Sequence, residues 1–164
     1  MAGITAGIIT VSDRSSSGER EDRSGAEIRT ILEGAAFEVL YYEIVPDEKD
    51  LIATTIKDFA DEKKLDIILT TGGTGLTPRD VTPEATLEVI EREIPGIAEY
   101  MRMKSSALTP HAMLSRAVSG TRKGALIINL PGSPRAVKEN LTFILPALRH
   151  AVEKIKGDPT ECAS

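Results

Sequence analysis

Short apolar runs alternate in the first half of the chain with segments in which apolar residues recur every three or four positions. The runs at 3–11, 37–45 and 65–69 are rich in Ile, Leu and Val and end in polar or glycine-rich stretches. This pattern predicts buried β-strands separated by amphipathic helices. The apolar face of the first helix is formed by Ile28, Ile31, Leu32 and Ala35, and that of the second by Leu51, Ile52, Ile56, Phe59 and Ala60.

The resulting β-α-β-α-β order predicts an α/β fold, a three-layer α/β/α arrangement with a central, mostly parallel sheet. We expect a polar loop at 12–18. Ser24, with Glu27 three residues later, has the pattern of a capping box and predicts the start of the first helix. Pro46 is expected to end the second strand.

The second half of the chain contains three further helix-start signals, Thr82-Pro83, Thr109-Pro110 and Ser133-Pro134. The first predicts a helix that buries Leu87, Ile90 and Ile94 and ends at Pro95-Gly96. Another helix is expected at 97–104, a short turn at 109–113, and two strands at 116–120 and 125–130 joined by a turn at 121–124. The last helix carries an apolar stripe and is expected to kink at Pro146. The stripe consists of Val137, Leu141, Ile144, Leu145, Leu148, Val152 and Ile155.

Composition limits the functional classes. The 164 residues suit one domain, expected at 1–157, followed by a polar tail at 158–164. The formal charge of −5 disfavours a nucleic-acid surface. We find no secretory signal pattern, no apolar stretch long enough to span a membrane, and one cysteine, Cys162. A cytoplasmic protein without nucleic-acid or membrane partners is therefore expected.

The central feature is the glycine-rich segment 70–75, which directly follows the third strand. Its N–H groups suit an anion, above all a phosphate, although a plain strand-to-helix turn has the same composition. Arg79, Asp80 and Glu84 follow within ten residues and favour a binding site. The loops at 12–18 and 131–133 also follow strands, so three loops suited to phosphate are expected at one edge of the sheet. Neither a dinucleotide fingerprint nor a Walker A motif is present.

Asp47 and Asp80 each follow a predicted strand and can reach this same edge. Two carboxylates beside phosphates are suited to Mg²⁺. Asp47 could instead cap the helix that follows it, and Asp80 could interact with the dipole of the helix starting at Thr82. The residues alone leave both alternatives open.

Four segments resemble the signature of the molybdopterin-binding proteins: 70–75, 78–86, 113–116 and 129–134. The chain is most similar to the molybdopterin adenylyltransferases, the MogA/MoaB group. The resemblance implies a homotrimer that uses ATP and Mg²⁺ to adenylylate molybdopterin and release pyrophosphate. It also implies handover of the product to a molybdate-insertion enzyme. A non-catalytic molybdopterin carrier or scaffold is the alternative; the acidic pair favours the enzyme.

The resemblance also implies roles for individual residues. Asp47 and Asp80 match the essential acidic pair that binds the metal. The residues matching the nucleotide-binding segments are Gly72, Gly73, Thr74, Gly75, Pro131, Gly132 and Ser133. The residues matching the substrate-binding positions are Ser12, Asp13, Ser17, Gly18, Ser24, Gly25 and Ser105.

Overall fold

Six strands form one sheet in the order β2-β1-β3-β6-β5-β4 in the computed structural model, which describes residues 3–162. The strands are β1 (Ile4–Val11), β2 (Phe37–Val45), β3 (Ile67–Thr71), β4 (Arg92–Glu93), β5 (Ser119–Arg122) and β6 (Ala125–Leu130). β1, β2, β3 and β6 are parallel, whereas β4 and β5 are antiparallel to their neighbours. The predicted mostly parallel sheet is confirmed.

Helices cover both faces of this sheet. They are α1 (Asp13–Ser16), α2 (Arg23–Gly34), α3 (Lys49–Lys57), α4 (Thr82–Val89), α5 (Pro95–Ser106) and α6 (Pro134–Ile155). A π-helical turn, Asp58–Glu62, extends α3, and a 3₁₀ helix, Pro110–Leu114, follows α5. None of the helices within residues 3–162 combines the length and the apolar character that crossing a membrane requires.

The strands are apolar on both sides because successive side chains point to opposite faces. Ile8 of β1 belongs to the core that α2, α5 and α6 cover, and its neighbour Ile9 belongs to the core under α3 and α4. Ile67 and Ile68 of β3 divide in the same way. These two cores confirm the three-layer α/β/α prediction.

Strand order reverses between β1 and β3, since the chain runs from β1 outward to β2 and then returns to the other side of β1. In open α/β sheets, ligands bind at such a reversal, outside the carboxyl ends of the strands. The segments that follow Val11 and Thr71 meet at this position. The topology therefore places the first polar segment beside the glycine-rich one.

Several predicted boundaries are wrong because tertiary contacts decide them. The segment after β1 is a helical turn, α1, capped by Ser12, rather than a loop throughout. Asp22, not Ser24, caps α2, and its carboxylate accepts a hydrogen bond from the Gly25 N–H at 3.0 Å. The predicted cap Thr82 is the first residue of α4, and its hydroxyl donates to the Gly72 carbonyl at 2.9 Å.

The second half departs further from its apolar pattern. α4 ends at Val89, and Leu87 lies on the exposed side of this helix rather than on its buried face. The residues predicted to form the last turns of the helix instead include the short edge strand β4. In the first half, Leu51 of α3, predicted on the apolar face, is exposed as well. β5 begins at Ser119, three residues later than expected, and α6 continues through Pro146. The helix-start prediction at Ser133-Pro134 is confirmed, because the Ser133 hydroxyl accepts from the Ala136 N–H at 3.2 Å. The predicted tail extends past residue 162, so its last two positions lie outside the described residues.

The end of the sheet opposite the strand-reversal loops is closed by polar contacts. Asp66 accepts hydrogen bonds from the Thr5 N–H at 2.8 Å and pairs with the Lys156 ammonium at 2.6 Å. Lys156 directly follows α6. The start of β1 and the end of α6 therefore meet at the amino ends of the strands.

Asn129 is a fully buried polar side chain that joins four elements. Its amide nitrogen donates to the Thr70 hydroxyl of β3 at 3.0 Å and to the Thr86 hydroxyl of α4 at 2.9 Å. Its amide oxygen accepts from the Val118 N–H, just before β5, at 3.2 Å. This network fixes α4 and the segment that leads into β5 against β6 and β3.

We expect Asn129→Ala to lower the free energy of unfolding by about 2–4 kcal/mol, because it leaves buried polar partners unsatisfied. For a chain of this size, that loss corresponds to a decrease of roughly 5–15 °C in Tm, measurable by circular dichroism. Thr142→Ala, which removes an exposed hydroxyl bond to the Lys138 carbonyl, is the control and should change stability by less than about 0.5 kcal/mol. Equal Tm changes in the two variants would contradict the role of Asn129.

Candidate functional site

A cavity of about 580 Å³ opens at the carboxyl ends of β1 and β3, where the strand order reverses. We call it the edge cavity. Its lining includes the following predicted site residues: Ser12, Ser24, Asp47, Gly72, Gly73, Asp80, Gly132 and Ser133. The three loops that were expected to meet at one sheet edge thus surround one cavity.

Asp47 and Asp13 hold the first of these loops against the end of β2. The Asp13 N–H donates to Asp47 Oδ2 at 2.8 Å, and the Asp47 N–H donates to Asp13 Oδ1 at 2.9 Å. Asp47 therefore does not cap α3, whose N-cap position is occupied by Glu48 without a side-chain hydrogen bond. The capping alternative for Asp47 is wrong.

Arg79 connects this pair to the glycine-rich segment. Its guanidinium donates to Asp13 Oδ2 at 3.1 Å, to Asp13 Oδ1 at 2.9 Å and to Glu48 Oε1 at 2.9 Å. The Arg79 guanidinium lowers the pKa of Asp13, and the hydrogen bond from Asp47 acts in the same direction. Asp13 is thus ionised, and both of its carboxylate oxygens already accept hydrogen bonds that join neighbouring loops.

Asp47 has the opposite electrostatic environment. Burial raises its pKa, and the negative charges of Asp13 and Asp80 act in the same direction, whereas the hydrogen bond from the Asp13 N–H and the charge of Arg79 act against them. A cation bound between the Asp47 and Asp80 carboxylates would stabilise their charged forms. An ion placed between them would remove a repulsion that the folded chain otherwise retains.

The donor set fits Mg²⁺ when part of the coordination comes from phosphates. Asp80 Oδ2 accepts from the Thr77 N–H at 2.9 Å and the Thr77 hydroxyl at 2.8 Å. Asp47 Oδ1 and Asp80 Oδ1 accept no hydrogen bond within residues 3–162. In the same range, no three His, Cys, Asp or Glu side chains cluster as a complete metal site. One or two carboxylates plus substrate phosphates are the usual surroundings of Mg²⁺ in proteins.

The glycine-rich segment is shaped by contacts that leave no room for side chains. Gly73 has a φ of +69°, and a Cβ atom there would lie 2.2 Å from the Thr82 hydroxyl and 3.3 Å from Asp47 Oδ1. The Thr82 N–H donates to the Gly73 carbonyl at 3.1 Å, so the first turn of α4 holds the loop. The N–H groups of Gly73, Thr74 and Gly75 have no acceptor within residues 3–162 and are available to an anion.

The N-terminus of α2 forms another wall of the edge cavity. The Asp22 carboxylate accepts from the Thr10 hydroxyl at 2.6 Å, from the Gly25 N–H and from the Tyr42 hydroxyl. Burial raises the pKa of Tyr42 to about 12, and the hydrogen bond to Asp22 adds to this effect. Tyr42 therefore remains a protonated donor, which keeps Asp22 and the helix start in place.

A second cavity, of about 490 Å³, lies beyond the glycine-rich segment, and we call it the apolar cavity. Thr74, Gly75 and Pro131 line it together with apolar side chains such as Met101 and Leu114. Ser105 is buried in its wall, where its hydroxyl donates to Asn140 Oδ1 at 2.9 Å. The segments around 72–75 and 131–134 thus separate the two cavities.

The structure therefore divides the predicted substrate-binding residues. Ser12 and Ser24 line the edge cavity, whereas Ser105 lines the apolar cavity. Asp13, Ser17, Gly18 and Gly25 are not among the residues lining either cavity. The Ser17 hydroxyl donates to the Arg14 carbonyl at 3.1 Å, and Gly25 packs against the Asp22 carboxylate and the Tyr42 hydroxyl.

Sequence reasoning missed several residues of the edge cavity. Arg20, Asp22 and Arg23 line it from the segment before α2 and from its first turn. The only local signal was Asp22 three residues before Gly25, the spacing of an N-cap side chain and the N–H that it accepts from. The Thr82 N–H at the start of α4 donates to the Gly73 carbonyl, and the Thr82 side chain is fully buried.

The model of the family described as "Probable molybdopterin binding domain" matches residues 7–150. The chain belongs to this family. Among curated proteins, it is 44% identical over 160 residues to the molybdopterin adenylyltransferase of Helicobacter pylori, covering 96% of this chain and 91% of that protein. It is 43% identical over 159 residues to the molybdenum cofactor synthesis protein cinnamon of Drosophila melanogaster, covering 96% of this chain and 26% of that longer protein.

The molybdopterin-binding fold is confirmed by solved structures. The molybdopterin biosynthesis enzyme MoaB of Thermus thermophilus is 50% identical, with a TM-score of 0.90 and coverage of 96% of this chain and 99% of that chain. Each of the four segments that carried the family resemblance contributes residues to the lining of one or both cavities.

We expect Gly73→Ala to weaken ATP binding about 10²-fold, because the added methyl group displaces the loop from Thr82 and Asp47. Isothermal titration calorimetry in the presence of Mg²⁺ measures the change. Gly124→Ala is a matched control, since Gly124 also has a positive φ, +85°, but nothing lies within 4 Å of the added atom. That variant should lose about 1 kcal/mol of stability and keep its affinity. Equal affinities in the two variants would refute the steric argument.

We expect Asp47→Asn to raise the Tm of the unliganded protein near neutral pH. Folding raises the pKa of Asp47. The stability that this group contributes is therefore fully present at pH values below its pKa in the unfolded chain, and it is lost as the pH rises through its pKa in the folded protein. The advantage of the variant should therefore disappear as the pH is lowered toward about 4. Thermal unfolding across this range is the measurement, with the exposed Asp50→Asn as control. A lower Tm for Asp47→Asn at neutral pH would contradict this assignment.

Proposed function

We propose that this protein is a molybdopterin adenylyltransferase that uses Mg²⁺ and ATP in molybdenum cofactor synthesis. The observation that carries the proposal is the acidic pair, Asp47 and Asp80, beside a glycine-rich segment with free N–H groups. Similarity to the Helicobacter pylori enzyme over nearly the whole chain supports the same reaction. The Drosophila relative, named for molybdenum cofactor synthesis, supports the same pathway.

In the proposed reaction, an oxygen of the terminal phosphate of molybdopterin attacks the α-phosphorus of ATP. A new P–O bond forms, the bond between the α-phosphorus and the bridging oxygen breaks, and pyrophosphate leaves with the electron pair. The products are adenylylated molybdopterin and pyrophosphate. No protein nucleophile is needed, because the attacking atom belongs to the substrate.

The residues of the chain then have positioning and electrostatic tasks. Asp47 and Asp80 would hold the metal, which, when bound, neutralises phosphate charge as two anionic groups approach. The N–H groups of Gly73, Thr74 and Gly75 bind phosphate oxygens. Arg20, which lines the same cavity, provides further positive charge near the phosphates, whereas Arg23 is paired with Glu21 at 3.6 Å.

The presence of two cavities on either side of the glycine-rich segment supports binding of a product with two ends. Adenylylated molybdopterin has a ring system at each end and two linked phosphates between them. The glycine-rich segment lies between the edge cavity and the apolar cavity, so a phosphate bridge beside it can place one ring system on either side. We assign the pterin to the apolar cavity, beside Ser105, and the ATP phosphates to the edge cavity.

The family resemblance also supports proposals for the location, the oligomeric state and the partner of the protein. We infer a cytoplasmic homotrimer that passes its product to a molybdate-insertion enzyme. Light scattering coupled to size-exclusion chromatography tests the trimer. A monomer at micromolar concentration would contradict it.

Pyrophosphate release from ATP and Mg²⁺, measured with and without molybdopterin, tests the reaction. The transferase requires release that depends on molybdopterin, together with an adenylylated pterin among the products. Tight molybdopterin binding without pyrophosphate would instead support the carrier or scaffold function. ATP hydrolysis that is independent of molybdopterin would contradict both.

We expect Asp80→Asn to reduce turnover by about 10²–10³-fold while the protein remains folded. The amide oxygen can still accept the hydrogen bonds from Thr77, but the charge that holds the metal is lost. Steady-state pyrophosphate release and circular dichroism measure the two effects. Asp50→Asn is the control, since Asp50 is exposed in the first turn of α3. Turnover of Asp80→Asn within a few-fold of the wild type would refute the metal-binding role.

A further inference from the structure

Arg116 binds both ends of the exposed turn at 76–79, which follows the glycine-rich segment. Its Nε donates to the Gly75 carbonyl at 2.8 Å, and its Nη2 donates to the Asp80 carbonyl at 2.7 Å. Its Nη1 pairs with Glu84 in the first turn of α4. Its own N–H donates to the Thr74 carbonyl at 2.9 Å. Arg116 thus contacts the residues just before this turn, Asp80 at its end, and the first turn of α4 beyond it.

This contact matters because residues 76–79 between the two carbonyls are exposed. The side chain of Asp80 orders the turn locally through Thr77, and the exposed side chain of Arg79 joins the turn to Asp13 and Glu48. Arg116 adds the attachment of the backbone at both ends of the turn. The guanidinium is planar and presents its donors in a rigid fork, so two carbonyls and a carboxylate held by it have a fixed spacing. A lysine ammonium has no such geometry.

Arg116 is itself held from the side of the apolar cavity. Arg102 of α5 donates from Nη1 to the Ser115 carbonyl at 3.3 Å and to the Ala117 carbonyl at 2.9 Å. The backbone on each side of Arg116 is therefore attached to α5, while its side chain is attached to the glycine-rich segment. The backbone that carries the Arg116 guanidinium is therefore itself anchored.

We propose that Arg116 is a positioning residue that sets the place of the Asp80 carboxylate relative to Asp47, and hence the affinity of the acidic pair for its metal. The inference rests on the proposed function, because it concerns the metal of that same site. It assigns Arg116 no contact with substrate. Its effect passes through the backbone at Asp80 and through Glu84.

The chain offers a closely matched control in Arg122. Its Nε and Nη2 donate to the two carboxylate oxygens of Asp61 at 2.9 and 2.7 Å, and its Nη1 donates to the Val89 carbonyl at 2.9 Å. Arg122 thus also holds the segment around β5 through a carboxylate and a carbonyl, but its carboxylate partner lies in the π-helical turn after α3 and its carbonyl partner at the end of α4 away from Asp80. Replacement of either arginine removes a similar set of bonds.

The test compares Arg116→Gln with Arg122→Gln by Mn²⁺ binding, followed by electron paramagnetic resonance in the presence of ATP and the absence of molybdopterin. We expect Arg116→Gln to weaken Mn²⁺ binding about 10–100-fold, the range typical for residues that orient metal ligands. Arg122→Gln should change it less than about twofold, although both variants lower Tm. The Mg²⁺ concentration for half-maximal pyrophosphate release should rise in parallel only for Arg116→Gln.

Arg116→Lys separates geometry from charge. If Mn²⁺ affinity is restored fully by lysine, or if the two glutamine variants weaken Mn²⁺ binding equally, the positioning role is overturned. A wild-type protein that binds no Mn²⁺ with ATP would overturn this inference and the metal-dependent reaction together. A wild-type protein that binds Mn²⁺ but never releases pyrophosphate would overturn only the proposed function, since the binding comparison still decides the role of Arg116.

Discussion

The site depends on direct backbone contact where the carboxyl ends of β1, β3 and β6 meet. A Cβ atom on Gly72 would lie 2.3 Å from the Val11 carbonyl oxygen, and one on Gly132 would lie 3.4 Å from the Gly72 Cα. The absence of side chains at these positions lets three loops share one cavity. The Gly72 N–H donates to the Leu130 carbonyl and its carbonyl accepts from Thr82, so both polar groups remain satisfied.

Electrostatics divide the acidic residues at this edge into two kinds. Asp13 is paired with Arg79 and serves to connect loops, whereas Asp47 and Asp80 keep one oxygen each without a hydrogen bond from the described residues. A cavity with unbalanced carboxylates in a protein of charge −5 repels anionic substrates until a cation is present. Affinity for phosphates should therefore depend on metal ions more strongly than on the field of the whole molecule.

The sequence was sufficient for the layers of the fold and for expecting Asp47 and Asp80 at one edge, because hydrophobic periodicity and the order of strands and helices along the chain can be read locally. It was insufficient where distant residues decide the outcome. Thr82 has the composition of a cap but donates to Gly72, and Leu87 has helical spacing but lies on the exposed side of a helix that ends early. The assignment of Ser105 to a separate cavity required the position of α5, which no local pattern specifies.

The two ends of the described chain lie far from this chemistry. Thr5 and Lys156 meet through Asp66 at the amino ends of the strands, whereas both cavities adjoin the opposite edge. A domain built in this way can be joined to other domains at either end without covering its own site. The fly relative is longer, and this chain matches 26% of it. The distance between the chain ends and the two cavities follows from the direction in which α6 returns across the sheet.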